Sequence, residues 1–309
     1  MSRRAVILDV DTGHDDAVAI MMAGRDPAIE LVGITVTAGN QTLPKTLRNT
    51  LNVCTALSID TPVYAGMHGP VLAELETAPL IHGESGLDGP VFASVPRRAE
   101  LGYAPVFIAE TVMSRPARTV TLVATGPLSN IAMALRLEPA LASRVGELVW
   151  MGGSAGRGNV TPSAEFNAYT DPEAASIIFS SGIPVVMIGL DVTTSVTLTG
   201  ERLSALSRIP GPASEIFAAS MERYRAACLR VIGESPAMHD PCCVAYVSAP
   251  GIFALARARV DVELQGRHTR GRTVVDFAAA GGRGHNAAVA VKVDAERFWA
   301  MLEAGLRRY

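Results

Sequence analysis

Five short runs of apolar and β-branched residues recur along the chain: Ala5-Val6-Ile7-Leu8, Leu31 to Val36, Val120 to Ala124, Leu148 to Met151 and Val185 to Leu190. Each is apolar on both faces, so each needs cover on both faces, which is the condition of a buried parallel strand and not of a half-exposed antiparallel one. Helical patterns fall between them. Leu43, Leu47, Leu51 and Cys54 recur at helical spacing, and Leu128-Ser129-Asn130 opens a second helix. Asp171-Pro172-Glu173 reads as an N-cap, a first-turn proline and an acid, and Phe298, Met301, Leu302 and Leu306 share one face of a last helix. The alternation predicts an α/β fold: an open, mostly parallel sheet with helices on both faces. No repeat, low-complexity tract or polar linker divides the 309 residues, so a single domain over 1–309 is expected.

Composition narrows the function. The 27 Lys and Arg against 30 Asp and Glu leave a net charge of -3, without the basic surface that nucleic acid or an anionic membrane requires. With 18% charged and 49% hydrophobic residues the chain is too apolar to be disordered. The apolar run after Met1-Ser2-Arg3-Arg4 stops at Asp9, short of a signal core, and no stretch approaches the ~18 apolar residues of a membrane helix. Cys54, Cys228, Cys242 and Cys243 show neither zinc spacing nor a disulfide framework, which suits free thiols in a cytoplasmic protein.

In open parallel sheets ligands bind outside the carboxyl ends of the strands. The polar residues there are Asp9 and Asp11, Asn40, Thr125, Met151-Gly152-Gly153 and Asp191, with Gly-containing loops at 81–89 and 152–159 as candidate lids. The segment 153–158 superficially suggests a dinucleotide loop, but it lacks the G-x-G-x-x-G order and precedes no clear helix.

The densest signal is Asp9-Val10-Asp11-Thr12-Gly13-His14-Asp15-Asp16, four carboxylates in eight residues after an apolar strand. Helix capping accounts for one or two of them. Four clustered carboxylates repel unless protons or a cation intervene, and a hard divalent ion such as calcium, which takes six to eight oxygens, removes the conflict. A strand ending in Asp-x-Asp-x-Thr also imitates aspartate-nucleophile phosphatases. The later acidic pair after a glycine, and a basic residue past a strand to hold phosphate, are both missing.

The same segment matches Asp-x-Asp-x-Gly-x-Asp-Asp at Asp9, Asp11, Gly13, Asp15 and Asp16, and here the chain resembles the nucleoside hydrolase family of the inosine–uridine-preferring type. Further matched pieces follow in order over nearly the whole chain: Ala38-Gly39-Asn40-Gln41, Ile81-His82-Gly83-Glu84-Ser85-Gly86, Thr125 to Asn130, Met151-Gly152-Gly153, Ala164-Glu165-Phe166-Asn167, Asp171 to Ala175 and His239-Asp240-Pro241. The resemblance implies a Rossmann-like core and hydrolysis of the N-glycosidic bond of purine or pyrimidine ribonucleosides. It also implies calcium held by Asp11, Asp16, the Thr125 carbonyl and Asp240, with Asp11 as general base on the calcium-bound water and His239 as acid to the leaving base. Asp15, Asn40, Glu165, Asn167 and the Met151 region would bind ribose, while His82, Phe166 and Tyr224 would lie in the substrate pocket. A homodimer or homotetramer serving nucleoside salvage is implied as well.

Two departures stand out. Thr12 occupies a position where the family often has proline. Relatives carry tyrosines in the helix over the base, whereas Met221 to Cys228 offers only Tyr224, flanked by Arg223 and Arg225. His14 lies inside the motif at a position where the family accepts other residues, and His68, His268 and His285 have no supporting context. The rival from another class is a non-catalytic calcium-dependent nucleoside or ribose-binding protein; retention of both Asp11 and His239 argues against it, because binding needs neither.

Overall fold

The computed structural model describes residues 3–92 and 97–309; Met1 and Ser2 of the basic start lie outside the described residues. Nine strands form one sheet: β1 (Arg4–Val10), β2 (Ile29–Val36), β3 (Val63–Ala65), β4 (Val120–Ala124), β5 (Glu147–Met151), β6 (Val185–Ile188), β7 (Phe253–Val262), β8 (Thr273–Asp276) and β9 (Ala287–Val293). Their spatial order is β3-β2-β1-β4-β5-β6-β9-β7-β8. All pairings from β3 to β9 are parallel, and β7 and β8 add antiparallel to the far edge.

Each of the five expected strands is present. The last one stops at Ile188, and Leu190 opens a short helix, Leu190–Thr193, instead of ending the strand. Two-sided burial is visible residue by residue. Along β1, Val6, Leu8 and Val10 enter one core cluster and Ile7 the other; along β5, Val149 and Met151 join the first while Leu148 and Trp150 join the second. The first cluster is closed by the helices His14–Gly24, Leu43–Ala56, Pro212–Val231, Pro241–Ser248 and Ala295–Leu306. The second is closed by Ala104–Ser114, Ser129–Leu137 and Pro172–Phe179. Asp171 caps the last of these by accepting the amide of Ala174 at 3.0 Å, as its sequence context suggests. All four cysteines are buried and unpaired. No helix among the described residues is long and apolar enough to cross a membrane.

Strand order fixes where a ligand can sit. From β1 the chain moves outward to β2 and β3, then returns to place β4 on the other side of β1. The crevice outside the carboxyl ends of β1 and β4 is therefore the topological switch point, the preferred binding position in such sheets. Asp11 follows β1 there, and Thr125 follows β4.

Trp150 is wholly buried, donates its indole N–H to the Gly126 carbonyl at 3.2 Å and meets Phe179 edge-on at 5.8 Å. Trp150→Ala should cost about 3–5 kcal/mol of stability. Urea unfolding should show a lower midpoint with little change in slope; a loss below about 1 kcal/mol would mean that this half of the core repacks freely.

Candidate active site

The four clustered carboxylates separate into different jobs. Asp9 is still in β1, where its Oδ1 accepts the Thr35 hydroxyl at 2.5 Å and the Asn130 amide at 2.7 Å; burial pushes its carboxyl up to about 7. It ties β1 to β2 and to the helix after β4, and does not line the cavity described below.

Asp16 sits one turn into the helix His14–Gly24 and does cap it: Oδ2 accepts the Gly13 amide at 2.8 Å and the Asn40 side-chain amide at 3.1 Å. Its Oδ1 accepts the Thr125 hydroxyl at 2.7 Å. Asp11 Oδ2 accepts the Asn40 main-chain amide at 2.7 Å, whereas Oδ1 is buried without a hydrogen-bond partner among the described residues. Two glycines make room for this carboxylate. A Cβ on Gly39 would overlap it outright, and one on Gly126 would stand 2.7 Å from Oδ1.

Oxygens of Asp15, Asp16 and Asp240 converge to within 4.8 Å of one another. This trio differs from the set the resemblance implied, since it contains Asp15, expected on ribose, and not Asp11. Burial, then the charge of Asp16, pushes Asp15 up to about 7. Burial also drives Asp240 and Asp11 well above the ordinary carboxylate range, reinforced by Asp15 and Asp16 at Asp240 and by Asp16 at Asp11. An uncompensated group of this kind favours either protons or a cation.

On the far wall Glu165 caps the helix Phe166–Thr170: its carboxylate accepts the amides of Asn167 (2.9 Å), Ala168 (3.0 Å) and Gly153 (2.8 Å). Burial nevertheless pushes it up to about 7. Asn167 donates its side-chain amide to the carbonyls of Thr125 (2.8 Å) and Met151 (3.0 Å), so one residue bridges the ends of β4 and β5. Asp191 accepts the Ala155 amide at 2.8 Å, and the hydroxyl of Thr273, on β8, exchanges hydrogen bonds with both the amide and carbonyl of Ser154 (2.8 and 2.7 Å). The first half of the 152–159 loop is thus pinned, and its second half is held as well: the amides of Gly158 and Asn159 donate to the Pro162 and Ala164 carbonyls at 3.1 Å, and Asn159 Oδ1 accepts the Phe166 amide at 2.9 Å.

His239 Nδ1 lies 2.8 Å from the Thr193 hydroxyl, and burial pushes the imidazole down to about 4. Opposite, His82, His14 and Tyr224 form a cluster with ring centroids 5.2 to 5.5 Å apart. His14 and Thr193 are the residues that sequence reasoning passed over. His14 was readable only as the position after Gly13, and Thr193 carried no signal at all.

These walls enclose one cavity of about 1140 Å³. Asp15, Asn40, His82, Thr125, Met151, Glu165, Phe166, Asn167, Tyr224, His239 and Asp240 line it. Asp11 and Asp16 stand behind Asn40, to which both are hydrogen-bonded. The expected site residues, scattered over 230 positions, are therefore assembled in one place.

Residues 6–300 match the family described as inosine-uridine preferring nucleoside hydrolase. The chain belongs to that family. The pyrimidine-specific ribonucleoside hydrolase RihB of Escherichia coli (strain K12) is 45% identical over 310 aligned positions, covering 100% of this chain and 99% of the relative. Among solved structures, the plant nucleoside hydrolase PpNRh1 superposes with a TM-score of 0.93 at 30% identity over 100% of both chains. A purine-preferring ribonucleoside hydrolase from Gardnerella vaginalis superposes with 0.92 at 33% identity, over 99% of this chain and 100% of that one. This nucleoside hydrolase is thus an enzyme that hydrolyses N-glycosyl bonds of ribonucleosides, and the phosphatase reading falls away.

The donor set fits a hard divalent cation. Every candidate is a carboxylate or carbonyl oxygen, the carboxylates repel without one, and Asp11 Oδ1 is an unpartnered buried acceptor. Because Gly39 leaves no room for a Cβ, Gly39→Ala should displace Asp11 and lower ribose release on the order of 10²-fold, with the circular dichroism spectrum retained. Unchanged turnover would show that the Asp11 position tolerates displacement.

Proposed function

We propose that this nucleoside hydrolase acts on pyrimidine ribonucleosides, with calcium as its cation, Asp11 as general base and His239 as acid to the departing base. The observation that carries the reading is the placement of an unpartnered Asp11 oxygen beside a carboxylate trio, with His239 lining the cavity that the trio adjoins. The pyrimidine preference is supported by the 45% identity to RihB, against 33% for the purine-preferring neighbour.

Calcium would be held by Asp11, Asp16, Asp240 and the Thr125 carbonyl, and when bound it supplies a water of lowered pKa and a hold on ribose hydroxyls. Asp15, Asn40, Glu165 and Asn167 bind the sugar in this reading. The side chains of Asn40, Glu165 and Asn167 are already fixed by hydrogen bonds to the main chain, so little ordering cost for them falls on binding. Asp11 takes the proton from the attacking water, whose oxygen joins C1′ as the C1′–N bond breaks and its electron pair passes to the base. As acid His239 acts in its imidazolium form, Nδ1–H donating to the Thr193 hydroxyl and the Nε2 proton passing to that base to leave a neutral ring, and burial, which pushes this imidazole down to about 4, makes it the stronger acid. Surrounding carboxylates favour the cationic, oxocarbenium-like sugar. The same reading makes the protein a cytoplasmic homodimer or homotetramer in nucleoside salvage, consistent with four unpaired cysteines.

Ribose release from uridine, cytidine, inosine and adenosine, with and without a calcium chelator, tests the whole reading. Cleavage of uridine and cytidine that chelation abolishes and added calcium restores is expected; release unaffected by chelation removes the cation. Asp11→Asn should lower kcat at least ~10³-fold while uridine still binds by calorimetry. His239→Ala should cost on the order of 10²-fold with uridine and much less with a nitrophenyl riboside, whose leaving group departs without a proton. Equal losses on both substrates would take the acid role away from His239.

A further inference from the structure

His82 reaches the cavity from the last position of the short helix Pro79–His82, and its ring is held with unusual completeness. Its Nδ1 lies 3.2 Å from His14 Nδ1 and 3.3 Å from the His14 main-chain nitrogen; with the His14 proton held on Nε2, His14 Nδ1 accepts and the His82 Nδ1–H donates to it. The two ring centroids are 5.4 Å apart with planes only 27° off parallel, so the imidazoles meet edge to edge and not face to face. His14 is fixed in turn, because its Nε2 donates to the Asp88 carbonyl at 3.0 Å, and a carbonyl can only accept. Tyr224 packs against both rings at 5.2 and 5.5 Å. Space is reserved for the contact at the start of the helix: a Cβ on Gly13 would stand 2.5 Å from His82 Nδ1.

All of this engages one edge of His82. Its Nε2 has no hydrogen-bond partner among the described residues, although the side chain is only 6% exposed and lines the cavity. A half-turn of the ring would put carbon where nitrogen now meets His14 and forfeit these contacts. We infer that His14 is a positioning residue, which together with the Asp88 carbonyl locks His82 so that only Nε2 is presented to the nucleobase. The inference rests on the reading that the cavity takes a ribonucleoside, and it goes beyond that reading by giving a role to a side chain that touches no substrate. Burial keeps both imidazoles below their ordinary pKa, so neutral rings suit the arrangement; His239 faces His82, and the Asp88 carboxylate faces His14.

A locked ring matters in the transition state more than in the ground state, because a group held in place needs no reorganisation as charge shifts to the base. His14→Phe keeps the ring area against Tyr224 and removes both nitrogens, while His14→Asn restores a polar group at the δ position. With uridine, His14→Phe is expected to lower kcat on the order of 10–100-fold with KM changed less than about threefold, and His14→Asn to recover part of that loss. The His14→Phe/His82→Phe double variant should be no slower than His82→Phe alone; losses that multiply would show that His14 does not act through His82. Independently of turnover, 15N spectra of the imidazoles in the resting protein should show the His82 Nδ1 resonance displaced in His14→Phe. An unmoved resonance overturns the inference. Failure of the wild type to release ribose from any nucleoside would instead overturn the functional reading, and the spectrum would still decide whether His14 holds His82.

Discussion

The structure turns on one electrostatic conflict: buried carboxylates brought together where the chain reverses direction across its sheet. Asp11, Asp15, Asp16 and Asp240 come from the end of β1, one helix N-terminus and the start of a helix more than 220 residues later. Folding apolar strands into a two-sided sheet forces these groups together, and desolvation raises the cost of their charge. The fold supplies partial relief through amides and hydroxyls from Gly13, Asn40 and Thr125. That relief is incomplete, as the bare Asp11 oxygen shows, and the remainder is what makes the site fit for a cation and a polarised water.

Much of this arrangement was legible in the sequence because it follows from periodicity. Runs such as Leu148 to Met151 have no polar face to turn to solvent, so a covered parallel strand was their natural reading. The strands that escaped notice are β3, β7, β8 and β9. Val63–Ala65 is too short to show a period, β7 intersperses arginines with alanines, and Ala287–Val293 is rich in a residue with little preference for strands. Their placement depends on pairing partners far along the chain.

Site residues were legible to a different depth. The Asp cluster stood out by residue type and its place after a strand, whereas Asn40 and His239 were legible only through their membership in an ordered set of motifs along the chain. The division of labour within the cluster was not legible. Asp9 and Asp16 look alike in sequence, yet Asp9 faces Thr35 and Asn130 as a tie between strands, while Asp16 caps a helix and joins the trio. The contrast between Asp11 and Asp15 likewise depends on which oxygens the main chain already occupies. Thr193 and the His14–His82 contact are tertiary facts with no local pattern.

The late position of Asp240 and Thr273 has a consequence for how the molecule is made. During synthesis the chain emerges with Asp9 to Asp16 first, and most of the parallel sheet can pair once residue 188 is available. Asp240, the hydroxyl that pins Ser154, and β9, which covers β6, all lie beyond that point. A nascent chain therefore carries its anionic cluster through more than two thirds of its synthesis before Asp240 is added. Ion capture can stabilise the finished protein but has little hold on the growing one, so the early sheet has to stand on its apolar faces alone.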